Sequence, residues 1–441
     1  MTTSVSHCPG EIPWFLVPRL GRLTPRRFEY GSPIRIGLTG QQLLLTAPED
    51  VFHVLVGNAT NYSKSRELTG SGVRQRVGGG LLGRQGSVHH ERRRSLQPLF
   101  AQRSVEHLVR GIEQQCRQHL ESWKDGESRD LSEEMGQLSR RILLASVFGT
   151  LNEDQIASLE LAILWRRQHT ERVYFSPLPR YGRWPTISRH RDREAQRVIA
   201  EHVRHGLNEL AAGRPSGDLL KGMTTITFGD GQRLTADDIQ DEVLSLMSTG
   251  HETITEWLTW CWVLLAQHPQ FEMLWRCELE RLGPLTDWLS KAPELAPATQ
   301  GLLEESLRLY PPTWLFARVP LQDDRLPSGT MVRAGQNLLV CQYLMHRHPG
   351  TFPDPERFDP TRFQSTTTAL HAGRTYFPFG AGPHRCIGDK LARLETLTVL
   401  VTIAREFAFN RRDSKPIVPH PGLTLGVRGG FRVRLHRLSS F

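Results

Sequence analysis

The amino-acid sequence predicts a mainly α-helical fold with small β-sheets, and two long stretches carry that expectation. From Val105 to Ala212 the pattern is largely helical, broken around Pro177, Pro179, Gly182 and Pro185. At Thr235 to Asp238 a Thr-x-x-Asp sequence has the form of a capping box, whose hydroxyl and carboxylate satisfy the amides of a helix start. Ile239, Val243, Leu246, Met247, Ile254, Trp257, Leu258, Cys261 and Leu264 follow at helical spacing, so this helix crosses the interior. Strand-like runs are short by comparison. Ile34 to Gly37 and Leu43 to Thr46 predict a small sheet near the N-terminus, and Thr313 to Pro320 with Val332 to Tyr343 predict a second sheet.

Composition narrows the class. The chain has 441 residues, 38% hydrophobic and 23% charged, with no Ser/Gly-rich spacer, low-complexity tract or internal repeat, so residues 1–441 are expected to form a single domain. Lys and Arg number 55 against 46 for Asp and Glu. The arginines are spread from Arg19 to Arg437 without interleaved aromatics, which speaks against nucleic acid and for a basic face that docks an acidic protein. Cys8, Cys116, Cys261, Cys277, Cys341 and Cys386 are far apart, with no Cys-x-x-Cys pair, so neither a disulfide framework nor a zinc site is expected and a reducing cytoplasm fits. Met1 to Arg19 lacks a basic region followed by a long apolar core, and no run approaches the ~18 apolar residues of a spanning helix, so a soluble chain without a membrane anchor is expected.

Taken in order, the chain enters through Pro9, Pro13, Pro18 and Pro25, begins helically over Glu49 to Val56, and runs through a glycine-rich stretch from Glu67 to Gly86 that reads as a long loop. His89 to Phe100 is a basic helix with His89 and Arg93 on one face. Arg92, Arg93 and Arg94 are consecutive, so at least one faces water. Tyr174 to Trp184 gathers aromatics and prolines at a break between helices. In the middle of the long helix, Thr249-Gly250-His251-Glu252-Thr253 predicts a bend, because glycine costs about 1 kcal/mol there and threonine bonds back to a carbonyl one turn earlier. Those five residues alone leave a packing notch and a catalytic device both open. Glu305 and Arg308 are neighbours on one turn that Tyr310, Pro311 and Pro312 end at once, and a surface ion pair is their simplest reading.

The most constrained stretch is Phe379-Gly-Ala-Gly-Pro-His-Arg-Cys-Ile-Gly388, followed by a helix-like run from Asp389 to Arg405. A cysteine at a helix start meets partial positive charge and unpaired amides, which lower its pKa and suit it to metal ligation. Gly382 and Gly388 are expected to let the backbone turn and approach something flat and large. The residues alone also allow a buried structural cysteine at a glycine-rich turn.

This stretch resembles the haem-binding loop of the cytochromes P-450. Its pattern of Phe, two residues, Gly, any residue, a basic residue, any residue, Cys, any residue, Gly is met by Phe379, Gly382, His384, Cys386 and Gly388. The resemblance implies a mostly helical prism with the haem, haem b, between a long central helix and the cysteine loop. It implies Cys386 as the proximal ligand of the iron, and His89, Arg93, Arg318 and His384 as partners of the haem propionates. Thr249 to Thr253 resembles the family's oxygen-binding groove, implying that Thr253 and Glu252 serve dioxygen and its protons. Thr249 stands where alanine is usual, and Ile254 replaces a polar residue often seen there. Glu305 and Arg308 resemble the family's Glu-x-x-Arg motif, which implies a buried network with Arg357. Leu246, Thr249, Thr313, Leu315, Phe316 and Leu423 are the implied substrate pocket, with Gly422 to Leu425 as a turn entering it. The Tyr174 to Trp184 break matches the family's mobile roof. The implied function is a haem-thiolate monooxygenase acting on a lipophilic small molecule, terpenoid or polyketide-like, in secondary metabolism. As a monomer it would draw electrons from a separate ferredoxin or flavodoxin and its NAD(P)H reductase, since the chain carries no flavin, iron–sulfur or nicotinamide motif. Peroxide-driven or isomerising relatives and a haem-binding sensor are the alternatives.

Overall fold

A computed structural model describes residues 30–36, 42–65, 79–175, 186–229, 231–288, 292–364, 373–411 and 415–438. The proline entry, most of the glycine-rich loop and most of the Tyr174 to Trp184 break lie outside the described residues. Helices dominate, among them Gly86–Leu96, Val109–Leu120, Leu131–Phe148, Glu153–Tyr174, Ile187–Ala211, Ala236–Thr249, Glu252–Gln267, Pro269–Arg281, Pro297–Leu309 and Asp389–Glu406. Several starts are written in the sequence. Thr235 and Asp238 form the expected capping box, and Asn152 with Gln155 forms another.

The long central helix comes as two, Ala236–Thr249 and Glu252–Gln267, parted at Gly250 and His251. The hydroxyls of Thr249, Thr253 and Thr255 donate to the carbonyls of Ser245, Thr249 and His251 one turn earlier, at 2.9, 3.2 and 2.9 Å. Each competes for a carbonyl of the helical ladder, the expected source of a bend. Gly250 has no room for a side chain, since a Cβ there would lie 2.9 Å from the carbonyl oxygen of Leu246.

The two sheets expected from the sequence are one. The strands β1 (Ile34–Ile36), β2 (Gln42–Leu45), β3 (Tyr62–Lys64), β5 (Leu315–Pro320) and β8 (Asn337–Cys341) form a single five-stranded sheet in the order β1-β2-β8-β5-β3. The stretch after Met331 is not one strand either. A turn at Gly335, with φ of 79°, separates β7 (Met331–Val332) from β8, and β7 pairs with β6 (Asp324–Arg325). Alternation along the pleat sends Leu43, Leu45, Leu338 and Val340 into one apolar cluster and Leu44 and Leu339 into another. The strands β4 (Ser128–Asp130), β9 (Phe407–Arg411) and β12 (Arg432–Arg437) make a three-stranded sheet, while β10 (Pro419–Pro421) and β11 (Leu425–Val427) form a hairpin. The largest core cluster gathers Trp123, Trp257, Trp260, Trp262 and Trp275 around the Glu252–Gln267 helix. Among the described residues no helix is long and apolar enough to cross a membrane.

Candidate functional site

The loop ahead of the Asp389–Glu406 helix is built by backbone hydrogen bonds. The Gly380 amide donates to Phe377 O and the Cys386 amide to Phe379 O, both at 2.8 Å. Gly380 and Gly382 have φ of 72° and 65°, and a Cβ on Gly382 would fall 1.9 Å from Leu55 O. Gly388, expected to serve the same purpose, does not; its φ is −90° and a Cβ there would meet no protein atom within 4 Å. The freedom the turn needs resides in Gly380 and Gly382, while Gly388 leaves the space beside the cysteine clear. Phe379 packs edge-on to Trp257 at 5.9 Å and lies under Arg393, fixing the loop to the central helix. His346, fully buried, ties the loop to the Pro297–Leu309 helix, accepting from the Phe377 amide at 3.1 Å while its other ring nitrogen lies 3.2 Å from Leu307 O.

Cys386 is exposed. Its thiol pKa is raised rather than lowered as expected from a helix start. Although the residue reaches the surface, protein packed around its sulfur makes burial the main cause, and with Asp389 it outweighs the Gly388 amide, Arg93 and Arg385, which pull the pKa down. A thiolate here therefore wants a further cation, which a bound metal supplies.

Beside the loop stands a group of basic side chains. The rings of His89 and His384 lie 4.5 Å apart, and Nδ1 of each is buried without a hydrogen-bond partner. Burial depresses their pKa values to about 3 and about 2. Arg318 on β5 is 7% exposed, donates to its neighbour Ala317 O at 3.0 Å, and is pushed down to about 10 by burial. Arg93 donates to Arg385 O. Lys64, which the sequence reading missed, is paired across the sheet with Arg318, and donates to Leu81 O, Leu82 O and Arg84 O at 3.0, 2.8 and 3.3 Å. Burial first, then Arg318 and Arg93, lower its pKa to about 7. Among the described residues none of these five is ion-paired to a carboxylate. Buried cations without counterions are costly, so the arrangement suits a ligand that brings its own carboxylates. Its neighbour Arg92 differs: it is 4% exposed, pairs with Asp238 and lies 3.6 Å from Glu242, whereas Arg94 is the exposed member of the triplet.

On the Glu252–Gln267 helix, Glu252 is 8% exposed and held from two sides. Arg167 Nε lies 3.0 Å from its Oε1, and the Thr424 hydroxyl donates to the same oxygen at 2.9 Å. Burial still raises its pKa against both partners. Thr253 is half-buried and Thr249 exposed, and the extra hydroxyl of Thr249 is already engaged by Ser245 O. The break connects to the helix after the cysteine loop through Ser139, whose hydroxyl lies 3.2 Å from His251 O and 3.1 Å from Glu395 Oε1. Leu246 packs in the same cluster as Ile387 and Leu391. Thr313 is exposed, while Leu315, Phe316 and Leu423 are half-buried. The Leu425 amide donates to Pro312 O at 2.9 Å and Trp314 Nε1 to Gly422 O at 3.0 Å, which brings the Leu423 turn to the segment carrying Thr313 and Leu315.

Glu305 and Arg308 are both fully buried and joined at 2.6 and 2.8 Å. The expected partner Arg357 enters through its carbonyl, 3.1 Å from Arg308 Nη2, and its side chain is exposed. The second guanidinium is that of Arg362, 3.6 Å from Glu305 Oε1. Pro355 O, His346 O and the Asp359 amide complete the network at 2.7, 3.2 and 2.8 Å.

A sequence model of the cytochrome P450 family matches residues 22–430. The chain belongs to that family. This P450 is 29% identical over 449 residues to the cyclooctat-9-en-7-ol 5-monooxygenase of Streptomyces melanosporofaciens, covering 96% of this chain and 94% of that protein. Pentalenene oxygenase of Streptomyces avermitilis is 28% identical over 85% of this chain and 82% of its own length. Among solved structures, a retinoic acid bound cyanobacterial CYP120A1 superposes with a TM-score of 0.82 at 21% identity, over 99% of this chain and 100% of that one. The fold is thus the P450 fold, and the chain is a haem-dependent P450 monooxygenase that uses dioxygen and electrons from a redox partner.

Proposed function

We propose that this P450 oxidises a terpenoid, holding haem b through Cys386 and delivering protons through Glu252 and Thr253. The carboxylate-free cluster beside Cys386 carries the haem assignment. Among the described residues His89 Nδ1 and His384 Nδ1 have no hydrogen-bond partner and the Arg318 guanidinium has no carboxylate, and the two propionates of haem b are anions of the right kind. Arg93 joins them, and Gly388 leaves the approach to the cysteine clear. When bound, the haem supplies oxygen activation, which thiolate ligation favours. The chain's own part is positional. Arg167 and the Thr424 hydroxyl orient the Glu252 carboxylate through Oε1, leaving Oε2 to hold a proton and pass it toward the Thr253 hydroxyl. Leu246, Thr249, Thr313, Leu315, Phe316 and Leu423 present a largely apolar wall that excludes water and orients a lipophilic substrate. The terpenoid class is supported by the names of the Streptomyces relatives. A ferredoxin or flavodoxin, with its NAD(P)H reductase, fits the basic charge balance of 55 against 46. Residues 1–441 would act as one cytoplasmic, monomeric domain.

The test is spectroscopic. Reduced protein under carbon monoxide should give the long-wavelength band of a thiolate-ligated haem, and Cys386→Ser should abolish it. Survival of the band in that variant would remove Cys386 as the ligand. A screen of cyclic sesquiterpenes and diterpenes for a shift of the haem spin state then identifies the substrate class, and a screen that responds only to non-terpenoid lipids would overturn it.

A further inference from the structure

We propose that Glu256 is a second proton-holding carboxyl on the path that ends at Thr253, standing one helical turn from Glu252 and resupplying it. This rests on the assignment of Glu252 and Thr253 to proton delivery. Glu252 and Glu256 are four residues apart on the Glu252–Gln267 helix. Their Cβ atoms are therefore neighbours on one face, about 5–6 Å apart, a gap their carboxyls can close directly or across one water.

The same clamp embraces both acids. Arg167 contacts Glu252 at 3.0 Å and acts on Glu256 as well. The β10–β11 hairpin sets Thr424 against Glu252 and Gly426 against Glu256. A Cβ on Gly426 would fall 2.8 and 2.9 Å from the two carboxylate oxygens of Glu256. Gly426 is not among the glycines of positive φ, so its missing side chain serves space, not backbone conformation. That space is what admits the carboxyl.

Glu256 also differs from the structural acids of this fold. Glu134 is locked by His119, Trp123 and Arg129 at 2.7, 3.0 and 3.0 Å, and they hold its carboxyl down at about 2. Among the described residues no hydrogen bond or ion pair fixes Glu256, and it is half-buried, so one side reaches solvent. The charged groups that act on it are Glu252 on its own helix and Arg167 on Glu153–Tyr174, while Glu171 of that helix acts on Glu252. Thr424, Leu425 and Gly426 bring no charge, and Arg140 on Leu131–Phe148 pairs with Glu160. Burial, then Glu252, raise Glu256 to about 7 against the pull of Arg167. Both protonation states are then populated at neutral pH, which is where a proton donor works best.

The step is a proton transfer alone. The O–H bond of Glu256 breaks as one forms on the Glu252 carboxylate, and Glu256 regains its proton from water on its exposed side. No electrons move.

The experiment uses the holoenzyme, with infrared pH titration and, separately, ferredoxin-driven dioxygen uptake and peroxide release with farnesol as the lipophilic probe. Glu256→Gln should keep the carbon monoxide band, lose a protonated-carboxyl band that titrates near 7, and lower dioxygen uptake about tenfold, the modest end of acid–base effects. Glu256→Asp should restore the infrared band. Gly426→Ala, which alters no ionisable group, should displace that band's midpoint, and it carries the test if Glu256→Gln loses its haem. An unchanged infrared titration and unchanged uptake in Glu256→Gln, or an unmoved midpoint in Gly426→Ala, would overturn the inference. If Glu252→Gln and Thr253→Ala raise peroxide release while Glu256→Gln does not, this inference alone fails; if none of the three does, the underlying assignment fails.

Discussion

Two buried clusters of charge in this molecule are built on opposite rules. Around Arg308 every donor has a partner inside the chain: Glu305 takes two, and the carbonyls of His346, Pro355 and Arg357 take the rest. Around His89, Arg318 and His384 no carboxylate partner exists among the described residues, and two ring nitrogens stand bare. The first pattern is self-sufficient. The second lacks a carboxylate among the described residues, so on the proposed reading the contrast separates charge that holds the fold from charge that would hold a ligand.

The contrast breaks most sharply at Glu305. Glu305→Gln leaves the fully buried guanidinium of Arg308 without its counterion, and the protein should lose about 3–5 kcal/mol with or without haem. Urea unfolding of both forms measures this, and a loss confined to the haem-bound form would place Glu305 with the ligand cluster instead. Arg318→Leu should act the other way. Removing a buried cation that lacks a carboxylate should leave the haem-free protein as stable or more so, while weakening haem retention about tenfold or more, the worth of one charge-assisted hydrogen bond. Haem transfer to apomyoglobin gives the retention, and thermal unfolding of the haem-free protein gives the other half. A haem-free protein that falls apart on this substitution would make Arg318 structural.

Local chemistry made much of this legible in sequence. The Thr235 and Asp238 capping box, the His89 and Arg93 face and the cysteine loop each declare themselves within a few residues, because a helix start, a helix face and a turn are local objects. What stayed hidden depends on partners far along the chain. Lys64 sits in a three-residue strand, and its meaning comes from pairing with Arg318 and from the carbonyls of Leu81, Leu82 and Arg84. The two expected sheets proved to be one because β2 runs parallel to β8, a pairing no local pattern announces. Arg357 and Arg362 are both arginines near the right place, and which guanidinium reaches Glu305 depends on the path of the chain between them, which the residue types do not give. Arg167 and Thr424 reach Glu252 from two other elements, so the residues that clamp it could not be read from its own segment.

The comparison can be sharpened by pH. His89 titrates at about 3 in the native haem-free chain against an ordinary 6.5, and Lys64 at about 7 against 10.5. Both are bases whose native pKa is depressed, so between the two values the unfolded chain binds a proton that the native chain refuses. Stability must then fall as pH falls, from 10.5 to about 7 through Lys64 and from 6.5 to about 3 through His89. Haem propionates beside these groups favour their charged forms and lift the native pKa back toward the ordinary one, so the slope should flatten when haem is bound. Thermal unfolding of the two forms across this range should therefore give curves that diverge on acidification from alkaline to neutral pH. Parallel curves would mean that the haem carboxylates do not face Lys64 and His89, and would return the cluster to the class of charges the fold itself must balance.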